Sequence, residues 1–429
     1  MAKDSTTENT PQDSPFNRTA QHDAKRTAIL SQAAKLFNTK GSRATTLLDI
    51  AQSLGLTKTS LYYYVKTKEE LIYQCYMAAL DRHHKALDDA ALQYRTPVER
   101  AQAFFRMHFE SWLSAEEGKT SHVAGLLEIA SLKGEHRKRV EDRYIKMFKR
   151  LRENIRDGIA DGSIRPCEST SVTRAMIGSV DWTFSWLHNV PRESVPAVAE
   201  QAWDILWHGL STVKGDYEPA ALPPANDGSA DLQGFDREEQ NRLKQDAFYK
   251  TGTWFFNKKG FNGTSLDEIA DHLNVTKGAF YYHIKNKEDL LFNCYSRSLD
   301  IMAGIYANAA KSDVTGMEKI DQTCRRIFYF QNSDQGPLIR YSSITALPQE
   351  RRRKIMQRTD RGNQKFGDFI REGIGDGSVR EIDAFVAQNL IAGSTNAAMD
   401  MQLWRKVDNI DAAAIDYFEI FFNGLKPRK

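Results

Sequence analysis

Residues 41–76, GSRATTLLDIAQSLGLTKTSLYYYVKTKEELIYQCY, recur at 260–295 as GFNGTSLDEIADHLNVTKGAFYYHIKNKEDLLFNCY, without a gap and at an offset of 219. Sixteen of the thirty-six positions are identical, and most of the rest are conservative exchanges such as Asp49 against Glu268 or Val65 against Ile284. A repeat this long is a domain-sized unit written twice, and it sets the architecture before any local reading does. A fainter match pairs 156–165 (RDGIADGSIR) with 371–380 (REGIGDGSVR) at an offset of 215, so a net four residues separate the copies somewhere after Tyr76. The 429 residues thus form two halves, each a short head followed by a long body.

Within each head the pattern is helical. Ile29, Leu30, Ala33, Ala34 and Phe37 recur at helical spacing, and Phe248, Tyr249, Phe255 and Phe256 stand at matching or adjacent places in the second copy. Gly41 and Gly260 then stop this helix. Thr46 with Asp49, and Ser265 with Glu268, have the spacing of a capping box that starts the next one. That helix is expected to bury Leu47, Ile50, Ala51 and Leu54, or Leu266, Ile269, Ala270 and Leu273. Gly55 or Asn274 follows, a residue type that readily takes a left-handed backbone in a tight turn. A second short helix starts at Thr57 or Thr276. Helix, tight turn and short helix make a helix-turn-helix, whose second helix enters the major groove of DNA.

Composition agrees with a folded globular chain, at 41% hydrophobic and 27% charged. No run of eighteen apolar residues is present to span a membrane, and the N-terminus lacks the apolar core of a secretory signal, so a cytoplasmic protein is expected. Four scattered cysteines (Cys75, Cys167, Cys294, Cys324) form neither a disulfide framework nor a zinc ribbon. The net charge of +3 does not by itself indicate nucleic acid, but its distribution is uneven. Ala24–Tyr76 holds eight basic and three acidic residues, a net of +5, whereas Leu243–Tyr295 holds seven and six, a net of +1. Residues 1–22 and 215–240 have the polar, Pro- and Gly-bearing composition of a tail and a linker. A flexible linker of twenty-six residues would span roughly 25–30 Å.

The segments TKTSLYYYVKTKEEL from Thr57 and TKGAFYYHIKNKEDL from Thr276 resemble the DNA-binding domain of TetR/AcrR-family transcriptional regulators. That family's hallmark is a lysine-bearing turn, an aromatic pair and Lys-Glu-Glu-Leu. The head match covers about fifty residues in each half, with Val65 and Ile284 where the family usually has phenylalanine. The resemblance implies an all-α chain of two TetR-like modules, each a three-helix head on a helical ligand-binding and dimerisation body, arranged as an intramolecular pseudo-dimer. It implies double-stranded DNA as partner. Phosphates would be met by Thr46, Thr57, Tyr63 and Lys68, and again by Ser265, Thr276, Tyr282 and Lys287. Bases or the groove wall would be met by Lys58, Thr59, Ser60 and Tyr62, and by Lys277, Gly278, Ala279 and Tyr281. One tyrosine of each pair has an equal claim to a place in the core of the head.

In such bodies a small inducer often occupies a cavity, and the expected effector is acyl-CoA-like or hydrophobic. Aromatic residues crowd the first half, and Phe105, Phe109, Trp112, Trp182, Trp186 and, in the second half, Phe328 are candidate ligand contacts, with ordinary core packing as the competing reading. The basic run Arg351–Lys354 suits an anionic ligand or a solvated helix face. His108, His122 and Glu128 lack ligand spacing, so neither metal nor cofactor is expected. No nucleophile elbow or phosphate loop marks an enzyme.

The expected organisation is a disordered tail at 1–22, a first helix-turn-helix domain at 23–66 and a first effector domain at 67–214. The linker at 215–240 leads to a second helix-turn-helix domain at 241–285 and a second effector domain at 286–429. The halves should meet through residues 171–187 and 201–213 of one and 384–401 and 412–424 of the other, while a dimer of whole chains remains open. The expected function is a ligand-released repressor reading an imperfect palindrome through two non-identical heads. The rival is a helical ligand sensor or interaction module in which one or both heads are inactive for DNA.

Overall fold

The computed structural model describes residues 15–222 and 237–428. The first half comprises α1 (Pro15–Lys40), α2 (Leu47–Ser53), α3 (Lys58–Tyr64), α4 (Lys68–Gln93), α5 (Pro97–Glu116), α6 (Gly134–Ala160), α7 (Ser169–Asp181) and α8 (Val195–His208). The second runs through α9 (Arg237–Gly263), α10 (Leu266–His272), α11 (Lys277–His283), α12 (Lys287–Lys311), α13 (Gly316–Asn332) and α14 (Gln349–Asp376). It ends with α15 (Ala384–Ala397), α16 (Met401–Trp404) and α17 (Ile410–Phe422). Among the described residues there is no strand, only an isolated bridge between Ser211 and Val379. No described helix is long and apolar enough to cross a membrane.

The repeat is visible in the caps. Thr96 and Thr315 start α5 and α13 with closed capping boxes to Glu99 and Glu318, still at the offset of 219. The 3-10 segments Leu126–Ser131 and Tyr341–Ala346 are at 215, so the four missing residues fall between Thr96 and Leu126, where α5 is three residues longer than α13 and the loop after it one residue longer. Asp161 and Asp376 close α6 and α14 identically, each accepting at 2.8 Å from the amide two residues on.

The halves share a core. α7 packs on α15 and α17, and α8 on the same two helices, which places the interface in the four segments expected from the sequence. α7 and α15 approach at Gly178 and Gly393, where a Cβ on Gly178 would lie 2.4 Å from the Ala397 Cβ. Only glycine admits that approach. Around it Val172, Met176, Leu390, Tyr417 and Phe421 form one continuous apolar cluster with residues of both halves. Polar ties frame the contact: Arg165 donates to Glu419 at 2.8 Å, Arg405 pairs with Glu168 at 2.9 Å, and Arg380 donates to Asp204 at 2.9 Å.

Two segments read as unstructured are ordered where described. Residues 15–22 belong to α1, which Pro15 can open because its missing amide hydrogen is dispensable in a first helical turn. Residues 215–222 lack helix but are docked: the Tyr217 hydroxyl donates to Asp321 at 3.4 Å, and the Ala220 carbonyl accepts from Arg325 at 2.6 Å. Arg325 is only 1% exposed, and bonds to Asp321 and Asp411 supply the partners that such burial demands. The remaining tail and linker, 1–14 and 223–236, lie outside the described residues.

Candidate nucleic-acid interface

Each head is a three-helix cluster whose apolar side is fully spent. Ile50, Ala51, Leu61 and Val65 are buried in the first, as are Ile269, Ala270, Phe280 and Ile284 in the second, with Leu47, Leu54, Leu266 and Leu273 packed at the margins. Thr46 caps α2 in a closed box with Asp49, whose carboxyl is held below its ordinary range by the Thr46 amide and hydroxyl. The second copy departs from expectation. Ser265 makes no side-chain cap bond, and the Glu268 carboxylate, which would close the box, accepts from the Lys259 ammonium at 2.8 Å instead. Gly55 and Asn274 both take the left-handed turn conformation, at φ 65° and 53°. Thr57 and Thr276 then cap α3 and α11 by accepting from the backbone amides of Ser60 and Ala279 at 3.1 and 3.2 Å.

With Leu61 and Phe280 filling the core, neither tyrosine of a pair is needed there. Tyr62 and Tyr63 are 42% and 76% exposed, and Tyr281 and Tyr282 are 45% and 84% exposed. Thr57, Lys58, Thr59 and Ser60 share the open face of α3 and its cap, as Thr276, Lys277, Gly278 and Ala279 share that of α11. Large apolar rings on a helix that also presents hydroxyls and lysines suit a polar partner with stackable or sugar surfaces. Lys68 and Lys287 are placed differently. Each is half-buried, its ammonium donating to a carbonyl of the loop before the second helix, Arg43 at 2.9 Å and Thr264 at 2.8 Å. Burial lowers both ammonium groups from their usual range. They fasten the loop that carries Thr46 or Ser265.

The two open faces differ beyond their sequences. In the first head the Lys58 ammonium lies 5.7 Å from the Tyr62 ring centroid and makes no ion pair among the described residues. In the second, Asp267 receives the Lys277 ammonium at 2.6 Å on one oxygen and the Tyr281 hydroxyl at 3.2 Å on the other. The bond from Lys277 holds the Asp267 carboxyl below its usual range and raises the ammonium. Leu48 occupies the equivalent place in the first head and is 46% exposed. Sequence reasoning passed over Asp267, although the Leu48/Asp267 mismatch stands in the repeat alignment.

The six aromatic ligand candidates do not converge. Phe105, Phe109 and Trp186 form a core chain with Trp203, and Phe328 packs on Tyr417 and Phe418. Trp182 meets Tyr341 of the other half with centroids 4.6 Å apart. Of the six, only Trp112 lines the small cavity, partly open to solvent, found in the first body. Its other walls include Arg82 and His83 from α4, Met107 and His108 from α5, and the loop His122–Leu126. That loop hangs on the first head: Asn38 of α1 donates to the Val123 carbonyl at 2.7 Å and accepts from the Gly125 amide at 2.9 Å. The Arg351–Lys354 run is largely engaged, with Arg351 on Asp289, Arg352 on the Lys40 carbonyl at 3.0 Å and Lys354 on Glu350. No group of three His, Cys, Asp or Glu among the described residues is placed to hold a metal.

Comparison with known proteins follows this division. The family description "bacterial regulatory proteins, tetR family" matches residues 29–75 and 252–294, and "tetracyclin repressor-like, C-terminal domain" matches 94–210 and 313–401. The transcriptional repressor KstR2 of Mycolicibacterium smegmatis is 28% identical over 204 residues, 46% of this chain and 96% of its own length. The transposon Tn10 TetC protein of Escherichia coli is 48% identical over 60 residues, 14% of this chain and 29% of its own. Among solved structures, AibR in complex with isovaleryl coenzyme A and operator DNA is 28% identical, covering 41% of this chain and 94% of its own, with a TM-score of 0.36. PfmR from Thermus thermophilus is also 28% identical, covering 40% and 94%, with a TM-score of 0.34.

Proposed function

The chain belongs to the tetR family of bacterial transcriptional regulators, carries that family's two domains twice, and is a DNA-binding regulator rather than an enzyme. From that premise we propose that it is a repressor which binds its operator as an intramolecular pseudo-dimer, reads two unequal half-sites and is released by a small-molecule effector. The observation that carries this reading is the pair of open helix faces, α3 and α11, each with two exposed tyrosines and a capping threonine, on one chain whose halves share a core. Base edges in the major groove form a donor and acceptor code. Thr59, Ser60 and Tyr64 cannot read it as Gly278, Ala279 and His283 do.

Phosphates would be met by the exposed threonines, by Ser265 and by Tyr63 and Tyr282, while Lys68 and Lys287 would act by holding the loops. The effector, acyl-CoA-like or otherwise an apolar body with an anionic part, would occupy the cavity walled by Arg82 and Trp112. A second reading is favoured by the Asp267 to Lys277 contact: the first head alone binds DNA, and the second serves as a structural partner.

Footprinting on the promoter DNA, followed by titration with operators symmetrised on either half-site, tests both. The expected result is a protected imperfect palindrome, tighter binding to the operator built from the first head's half-site, and one chain per operator. Equal affinity for both symmetrised operators would refute the unequal heads, and two chains per operator would refute the intramolecular pairing. Protection of a single half-site would establish the second reading.

A further inference from the structure

The equivalence of the halves fails where the cavity is most polar. At the offset of 219, fixed on either side by the caps Thr67 with Asn286 and Thr96 with Thr315, Arg82 corresponds to Ile301, His83 to Met302 and His108 to Ile327. Some neighbours are unchanged, Leu80 and Asp81 repeating as Leu299 and Asp300 and Phe109 as Phe328, whereas His84 stands against Ala303 and Met107 against Arg326. At Arg82, His83 and His108, three polar groups of the first half stand where the second half has apolar ones. In the second half Ile301, Met302 and Ile327 join the apolar core.

The polar groups of the first half are incompletely paired. Arg82 is half-buried with no hydrogen-bond or ion-pair partner among the described residues, and burial pulls its guanidinium below its usual range. His83 is 6% exposed, and its Nδ1 has no partner. His108 lies against it, ring centroids 5.0 Å apart, and its Nδ1 donates to the Phe104 carbonyl at 3.1 Å. A guanidinium taken partly out of water is costly unless an anion joins it, and its planar fork suits a carboxylate or phosphate. Met107, Trp112, Leu126 and Phe184 supply an apolar wall beside it.

We infer that the first body alone holds the effector site, one per chain, and that it takes an amphiphilic anion whose acidic group pairs with Arg82 and whose apolar part lies along Trp112 and Met107. This rests on the reading of the chain as an effector-released repressor for its regulatory meaning, but the binding itself does not. A single site would make release asymmetric, since Asn38 and the 122–125 loop join the cavity to the first head.

The test uses the full chain without DNA. Octanoate, with octan-1-ol as the uncharged control, is titrated by calorimetry and by histidine-selective NMR. The expected result is one equivalent of octanoate bound per chain, with shifts at His83 and His108, and at least tenfold weaker binding of octanol. Arg82→Ile, which installs the residue the second half already accommodates, should weaken octanoate at least tenfold and leave octanol unchanged. Arg82→Lys should restore part of the affinity, separating lost charge from lost fold. Two equivalents per chain, no octanoate binding, or binding indifferent to Arg82→Ile would each overturn the inference. Operator binding by the same variants is read separately. Arg82→Ile that still binds operator but resists release by octanoate upholds both readings, whereas octanoate binding without any operator binding upholds the site and refutes the repressor.

Discussion

Replacing Asp267 by leucine, the residue at the same place in the first head, should strengthen the second head on DNA. Asp267 now holds two groups that the family resemblance assigns to DNA, the Lys277 ammonium at 2.6 Å and the Tyr281 hydroxyl at 3.2 Å. Both the Lys277 and Asp267 side chains are largely exposed, so the pair itself adds little to stability and its removal should leave folding intact. Its effect on binding is another matter. Asp267→Leu raises the net charge of Leu243–Tyr295 from +1 to +2, since seven basic residues then face five acidic ones. A lysine released to one phosphate adds about 0.9 to the slope of log affinity against log salt. Over a fourfold change in salt that slope corresponds to about a threefold change in affinity. Fluorescence anisotropy on the operator symmetrised for the second head, from 50 to 200 mM salt, reads both quantities. The reciprocal Leu48→Asp should capture Lys58 and lower the slope of the first head by a like amount. An unchanged slope for Asp267→Leu would show that Lys277 does not reach phosphate even when free, and the electrostatic account of the unequal heads would fail.

Lys58→Ala should reduce the salt slope on the native operator by about one, and Lys277→Ala by distinctly less because that ammonium is already held, which gel-shift titration at several salt concentrations will show. Gly178→Leu should destabilise the chain by roughly 3 kcal/mol by overpacking α7 against α15, measured by denaturant unfolding, and should impair both heads together. Burial lowers His108 from 6.5 to about 4, and lowers His83 well below its ordinary value. The unfolded chain therefore takes up protons first, so the stability these neutral imidazoles contribute is complete above about pH 6.5 and is lost as pH falls toward about 4. Between pH 7 and 5 the His108 part is about 2 kcal/mol, and His108→Ile should remove it from the pH dependence of thermal unfolding.

The head was legible because its determinants are local. Thr46 and Asp49, Gly55, Thr57 and the buried Ile50 and Ala51 all act within one or two turns of helix. Where a distant residue competes, the same reading fails: Glu268 has the spacing to cap with Ser265 but finds Lys259 instead. Residues 215–222 looked like slack linker since the groups that hold them, Asp321, Arg325 and Asn423, lie a hundred or more positions away. Aromatic crowding pointed to ligand and delivered core, because rings bury the most area and so fill the centre first. The cavity is marked instead by Arg82 and His83, which in sequence are indistinguishable from a solvated helix face. Comparing the halves column by column would have exposed both Asp267 and these two, as each stands where its counterpart is of a different chemical kind.

Fusion changes what such a pair of modules can tolerate near its axis. Glu128 is half-buried between the halves, where Ser42 of the first head and Thr345 of the second body donate to its two oxygens, and loss of solvent pushes its carboxyl up. Its counterpart at the offset of 215 is Ser343. The 3-10 segments that carry these two positions touch each other, so two identical copies of the first half would bring a second half-buried carboxylate to the same region. Like charges there cost several kcal/mol at low dielectric, of order 332/(εr). A covalent pair escapes that cost by differing at the position. The same segment continues from the cavity loop at Gly125 and packs against α9 of the second head, where Ala130 faces Gly260. A ligand in the first body would press on Asn38 of one head and, through Leu126–Ser131, on the base of the other.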